Sequence, residues 1–180
     1  MRHKVTCTAF SATGELAVLL IAQLDLAALV VLSGPEGLAD DVAGAAPSQG
    51  YEPRVRAGTW ADAAGSDLVV LDAVGDDTAA EIAARCAGAV VVVATPTPVA
   101  DVDRLLAATR LPRARIVGAA VDGAGPVTAA ARATEIADAV LRDRRRTIPA
   151  AVQVLNESDG AADVVVRDAR IGAGGIQAIL

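Results

Sequence analysis

The sequence predicts an α/β fold built on a doubly wound, parallel sheet, and three observations carry that expectation. Short Val-rich runs alternate with Ala-rich stretches of helical character over the first 125 residues, the order produced by strand–helix–strand units. Runs such as Val90-Val91-Val92-Val93 lack any in/out alternation, which suits strands covered on both faces. The length of 180 residues fits one domain on the ordinary scale of roughly 100–200 residues.

Strands are expected over 4–10, 28–33, 53–57, 67–73, 88–95 and 114–121, and helices over 14–24, 36–45, 76–86 and 99–110. In the first helix Leu16, Leu19 and Leu20 mark a mostly apolar surface that packs on the sheet. After residue 125 the pattern changes. Residues 126–146 read as one long helix with Ala133, Ile136, Val140 and Leu141 on one face, ending in Arg142, Arg144, Arg145 and Arg146. That cluster is a candidate anion site, but cations also complement a helix carboxyl end, by about 0.3–1 kcal/mol each. Strands over 147–155 and 162–168 flank Asn156-Glu157-Ser158-Asp159-Gly160 as an antiparallel hairpin. The turn Gly172-Ala173-Gly174-Gly175 then leads into a short terminal helix. The hairpin either completes the main sheet or forms a layer of its own.

Composition bounds the chemistry. The chain is 53% hydrophobic but 2% aromatic, so its core is built from small side chains. The single histidine, His3, precedes the first strand, which argues against an internal imidazole acid or base and against His-rich metal sites. Cys7 and Cys86 lie far apart in apolar surroundings and read as reduced core thiols of an intracellular protein, not a metal site. A net charge of −6 provides no footprint for nucleic acid or an anionic membrane. The apolar runs are too short to span a bilayer, and the opening residues lead into a strand instead of a signal segment; a cytoplasmic protein is expected. No phosphate-binding G-x-x-x-x-G-K loop and no G-x-S-x-G elbow occurs. The pairs Asp40-Asp41 and Asp76-Asp77, like Asp101 and Asp103, fall at helix starts, where acids suit the dipole.

Several blocks, in order, resemble bacterial malate dehydrogenases of the lactate/malate dehydrogenase family. They begin with Lys4-Val5-Thr6 and Leu19-Leu20-Ile21-Ala22-Gln23, then Pro35-Glu36-Gly37-Leu38-Ala39 and Gly65-Ser66-Asp67-Leu68-Val69-Val70. They continue with Arg145-Arg146-Thr147-Ile148-Pro149-Ala150 and Ile171-Gly172-Ala173-Gly174-Gly175-Ile176. The resemblance implies a Rossmann-like doubly wound sheet. Residues 1–125 would form a degenerate dinucleotide-binding-like domain. Residues 126–180, a long helix plus a β-hairpin, would be a remnant of the second, catalytic domain, packed on the first as one compact unit and truncated by loss of internal segments.

In the family the first strand ends in G-x-G-x-x-G, whose glycines permit a tight turn, approach of the pyrophosphate, and close helix packing. Here the stretch reads Ala9-Phe10-Ser11-Ala12-Thr13-Gly14. Gly14 keeps the packing glycine, whereas Ser11 stands where phosphate would approach the backbone. The acidic residue that binds the ribose hydroxyls is replaced by Ser33. The cofactor positions implied by the resemblance are thus Ser11, Gly14 and Ser33, all in degenerate form. The hydroxyls of Ser11 and Thr13 read as helix caps.

The family's hydride-transfer chemistry uses a His proton donor, an Asp that orients it and Arg residues that clamp the carboxylate. The Arg-bearing loop after the fourth strand is absent, because Leu71-Asp72-Ala73-Val74-Gly75 runs directly into Asp76-Asp77. In the fifth-strand turn, Thr95-Pro96-Thr97-Pro98, Thr stands where the family has Asn. Asp122 matches the family Asp, but Gly125 replaces the substrate Arg and the segment carrying the catalytic His is missing. No catalytic and no metal-ligating residue is assigned. The expected function is that of a non-catalytic malate dehydrogenase-like pseudoenzyme. It would act as a structural, assembly or regulatory subunit through self-association as a homo-oligomer or through a protein partner in a larger complex, with no cofactor, nucleic acid or membrane. The alternative is a residual NAD- or NADP-binding oxidoreductase.

Overall fold

The computed structural model describes the chain apart from residues 1–2, 51–53, 120–122 and 157–159, and describes only the backbone of Ala46, Pro47 and Gln49. Its elements are β1 (His3–Thr8), α1 (Ala12–Gln23), β2 (Ala27–Leu32), α2 (Leu38–Gln49), β3 (Arg54–Gly58), β4 (Leu68–Leu71) and α3 (Thr78–Arg85). They continue with β5 (Val90–Val93), α4 (Pro98–Thr109), β6 (Ile116–Gly118), α5 (Pro126–Leu141), β7 (Arg146–Leu155), β8 (Ala162–Gly172) and β9 (Gly175–Ile179). Short 3-10 turns cover Trp60–Ala63 and Arg113–Arg115.

One nine-stranded sheet runs in the order β3-β2-β1-β4-β5-β6-β7-β8-β9. Strands β1 to β6 are parallel, with the order reversing between β1 and β4, and β7 to β9 are antiparallel. This is the doubly wound α/β arrangement that the Val-rich runs predict. The four residues of β4 and of β5 are all buried because helices lie on both faces. One apolar cluster joins the sheet to α1, α2 and α5, and a second joins it to α3, α4 and the Trp60–Ala63 turn. Small residues let the helices approach closely: α1 buries Ala17 and Val18, and α5, packed beside it, buries Ala130, Ala133 and Ala137. Proline at the first turn opens α4 and α5, where its missing N–H costs nothing.

The hairpin completes the main sheet. β7 meets β6 at a single pair, Gly118 opposite Ala151, and Gly118 makes the join possible. A Cβ at position 118 would stand 2.5 Å from the Ala151 Cβ and 3.2 Å from the Pro98 Cβ. β7 and β8 pair antiparallel, as the expected hairpin requires, and residues 157–159 between them lie outside the described residues.

Two local expectations are corrected. The terminal segment is not a helix but β9, since the tight turn at Ala173-Gly174 sets Gly175 opposite Gly172 and folds the chain straight back onto β8. Gly175 takes φ +90, and its missing side chain admits the Ala114 carbonyl. The long helix ends at Leu141, five residues early, because Asp143 and Arg145 adopt left-handed φ of 48 and 52. The arginines therefore do not form an open anion site. Arg142 and Arg144 both reach back to Asp138 at 3.0 and 2.7 Å, Arg145 pairs with Asp143 at 3.3 Å, and Arg146 with Glu135 at 3.0 Å.

Candidate functional site

In doubly wound sheets, ligands bind beyond the carboxyl ends of the strands, at the point where the strand order reverses. That point lies between β1 and β4. The chain leaves β1 at Thr8, Ala9 donates its N–H to the Leu32 carbonyl at 3.2 Å, and α1 begins at Ala12 after an extended Ser11. The first N–H groups of a helix lack intrahelical acceptors and form a natural anion site.

An internal carboxylate takes that role. Asp72, the residue after β4, is 3% exposed. Its Oδ2 accepts the Ser11 backbone N–H at 2.7 Å and the Ser11 hydroxyl at 2.8 Å. Its Oδ1 accepts the Thr8 hydroxyl at 2.6 Å, and its own N–H donates to Thr8 Oγ1 at 3.0 Å. Among the described residues no cation pairs with it, so hydroxyls, an amide and the amino end of α1 compensate the buried charge. Gly14 provides the room: a Cβ there would lie 2.5 Å from Asp72 Oδ2 and 2.6 Å from both the Ala9 Cα and the Thr8 carbonyl oxygen.

The three cofactor positions implied by the family thus have distinct placements. Ser11 and Gly14 both face the Asp72 carboxylate. Ser33, directly after β2, is exposed with φ +51 and lines a neighbouring cleft. The capping role expected of Ser11 is corrected, since its hydroxyl makes no cap bond to α1 and serves Asp72 instead; Thr13 is buried. Sequence reasoning missed Asp72 as a site residue. Its signal was an acid ending the wholly apolar run Leu68-Val69-Val70-Leu71, where a carboxylate beside a helix start calls for donors.

The Ser11 N–H is already donated, and an added pyrophosphate would face the Asp72 charge. Two unit charges about 5 Å apart at an effective dielectric near 20 repel by roughly 3 kcal/mol, on the order of a hundredfold in affinity. Thr8, Phe10, Leu32, Ser33, Trp60, Ala73, Val74, Gly75 and Thr78 line the adjoining cleft, whose volume is 410 Å³. No lysine, arginine or histidine is among them.

In the turn after β5, the Thr95 hydroxyl donates to Asp101 Oδ2 at 2.6 Å, and Arg104 lies 3.4 Å from Asp76. Gly125, which the resemblance aligns with the family's substrate Arg, precedes α5, and Asp122 lies outside the described residues. Asp40 and Asp41 occupy the first turn of α2, as expected of acids at a helix start. Cys7 and Cys86 are buried free thiols. Among the described residues, no helix is long and apolar enough to cross a membrane.

The strand order and the glycine-packed β1–α1 loop define a Rossmann-like doubly wound α/β fold. The chain is similar to solved structures of lactate and malate dehydrogenases, the family that its sequence resembles. Against lactate dehydrogenase from Cryptosporidium parvum, complexed with lactic acid and β-nicotinamide adenine dinucleotide, the TM-score is 0.90 at 16% identity, covering 100% of this chain and 90% of that one. Malate dehydrogenase from the same organism gives 0.91 at 14% identity, covering 100% and 91%. Malate dehydrogenase from Aeropyrum pernix gives 0.86 at 18%, covering 98% and 89%. At these identities the likeness is one of fold. No protein-family model and no curated protein sequence matches the chain.

Proposed function

We propose that this chain is a non-catalytic member of the lactate/malate dehydrogenase fold, acting as a structural or regulatory subunit through protein contacts. The observation that carries the reading is the Asp72 carboxylate, which takes the Ser11 N–H on which a cofactor phosphate would depend. Loss of the family's Arg and His positions supports it from the catalytic side. The interaction half draws support from large apolar side chains left exposed: Val127 at 69% at the start of α5, and Leu155 and Leu180 at 55% and 61% toward the antiparallel end of the sheet. Self-association or a partner subunit would cover them.

The test is a titration of the purified chain with NADH and NADPH, read by calorimetry and thermal shift, alongside its sedimentation mass. The expected results are no saturable response at millimolar cofactor, no reduction of oxaloacetate or pyruvate, and a mass of at least two chains or co-purification with a partner at fixed stoichiometry. Saturable cofactor binding would overturn the closed-loop reading in favour of a residual NAD(P)-linked oxidoreductase. A lone 18.0 kDa particle at micromolar concentration, with no co-purifying partner, would remove the interaction role.

A further inference from the structure

At the end of the parallel strands opposite the closed loop, β1, β2 and β3 set one row of residues across the sheet: Lys4 beside Ala28, and Ala28 beside Arg54. Two residues further on, Val30 stands beside Arg56. With strands about 4.8 Å apart, Lys4 and Arg54 flank Ala28 with their Cα atoms roughly 10 Å from one another. Ala28 is the one residue of β2 that is not buried, although β2 has a strand on each side. A lone methyl group between two long cationic side chains leaves a slot. These residues line a cleft of 390 Å³, within the roughly 300–1,000 Å³ of small-ligand sites.

The charge of this cleft departs from that of the chain. The protein has 22 acidic residues against 16 lysines and arginines, yet the described residues lining the cleft include no Asp or Glu. Lys4 is the only lysine of the sequence and His3 the only histidine, and both line it together with Arg54 and Arg56. Much of their donor capacity is unused. Lys4 Nζ donates to the Ala64 carbonyl at 2.7 Å, which leaves two of its three hydrogens. Arg56 Nη1 lies 2.9 Å from Asp62 Oδ1, and His3 Nδ1 lies 3.5 Å from Asp67 Oδ2, which also accepts the Lys4 backbone N–H. Arg54 has no ion pair among the described residues.

A cation would meet Lys4, Arg54 and Arg56, and a neutral ligand would leave their charges to water. An oxyanion matches them, and the placement of the donors narrows its class. They come from β1, from β3 and from the next row along β3. A phosphate group presents three acceptor oxygens and about two negative charges near neutral pH, where a planar carboxylate presents two oxygens and one charge, and arginine forks bind phosphate in bidentate fashion. We propose that the cleft over Ala28 binds a phosphate group held between Lys4, Arg54 and Arg56. The site is separate from the β1–α1 loop and does not depend on how that loop is read.

Because His3 is the only histidine, its imidazole proton signals report on the cleft in NMR spectra of the full chain. The chain is titrated at constant pH and ionic strength with inorganic phosphate and with glycerol phosphate, with chloride as the reference anion. Both phosphates are expected to shift the His3 signals saturably at millimolar concentration or below, and chloride is not. Tighter binding of glycerol phosphate identifies a phosphate ester as the source of the group, and equal binding identifies free phosphate. Arg54→Gln, at an exposed position, is expected to weaken binding about tenfold, the low end for a hydrogen bond to a charged group, with an unchanged thermal melt. Arg170→Gln, which removes an exposed charge from β8, is expected to leave binding as it was. No saturable shift with either phosphate, a shift that chloride reproduces, undiminished binding to Arg54→Gln, or an equal loss in Arg170→Gln overturns the proposal. Any response to NADH or NADPH that Arg54→Gln abolishes belongs to this cleft, and one that persists belongs to the loop, so the two sites fail separately.

Discussion

The Asp72 carboxylate binds Ser11 through both its backbone N–H, at 2.7 Å, and its hydroxyl, at 2.8 Å, closing the β1–α1 loop from the end of the neighbouring strand. Residues 61 apart in sequence are thereby fixed at the point where the sheet reverses its order.

Removing that carboxylate strands its donors. Asp72→Ala leaves the Thr8 hydroxyl, the Ser11 N–H and the Ser11 hydroxyl without their acceptor, and a buried donor left unmade costs about 1–3 kcal/mol. Thermal melts should show a loss of several degrees, at roughly 2–4 °C per kcal/mol for a chain of this size. Asp72→Asn, which retains one acceptor oxygen, should lose less. A melt of Asp72→Ala identical to that of the parent chain would show that the network does not hold the loop.

The β6–β7 join depends on the absence of one methyl group. Gly118→Ala places its Cβ against Ala151 and should destabilise the fold by about 1–3 kcal/mol, the usual cost of overpacking. Adding Ala151→Gly should recover part of that loss, so denaturant titrations of the two single variants and the double variant should show favourable coupling. Purely additive effects would place the strain elsewhere.

Both thiols should be inert in the folded state. Burial pushes the Cys7 thiol up to about 12, with the Asp72 charge adding to the effect, and burial also raises Cys86. A thiol-specific chromogenic reagent at pH 8 should react with neither cysteine in the native chain and with both after denaturation. Fast labelling of native protein would contradict the packing around β1.

Acid should destabilise the chain partly through two exposed carboxylates. The Thr59 backbone N–H, followed by Arg56 and the Thr59 hydroxyl, holds Asp62 at about 2, below the ordinary 3.8. The Ala173 N–H likewise lowers Asp143. A carboxyl group whose folded-state value is depressed binds fewer protons folded than unfolded. Its contribution is therefore complete above about pH 4 and is lost as the pH falls toward 2. Chemical denaturation at stepped pH should show a shallower acid limb for Asp62→Asn than for the parent. An unchanged slope would reject this assignment.

The parallel core was legible in the sequence because its signal is local. Four consecutive apolar residues at 68–71 and at 90–93 already demand cover on both faces, and the structure buries every one. The terminal strand was not legible in this way. Gly175-Ile176-Gln177-Ala178-Ile179 carries no strong preference of its own, and only a two-residue turn and an available β8 edge make it β9. The arginine cluster was equally ambiguous, since the carboxylates that neutralise Arg144 and Arg146 lie six and eleven residues away, one to two helical turns back along α5.

The sequence by itself determined the alternation of strands and helices, the small-residue core and the absence of an internal histidine, because each is a matter of residue type or short-range periodicity. Only the tertiary structure decided that Asp72 fills the loop, that Phe10 and Trp60 share a cleft and that the hairpin extends the main sheet. Those relations join residues far apart along the chain. Whether a carboxylate repels a ligand or satisfies a helix end depends on angstrom distances that sequence spacing does not encode.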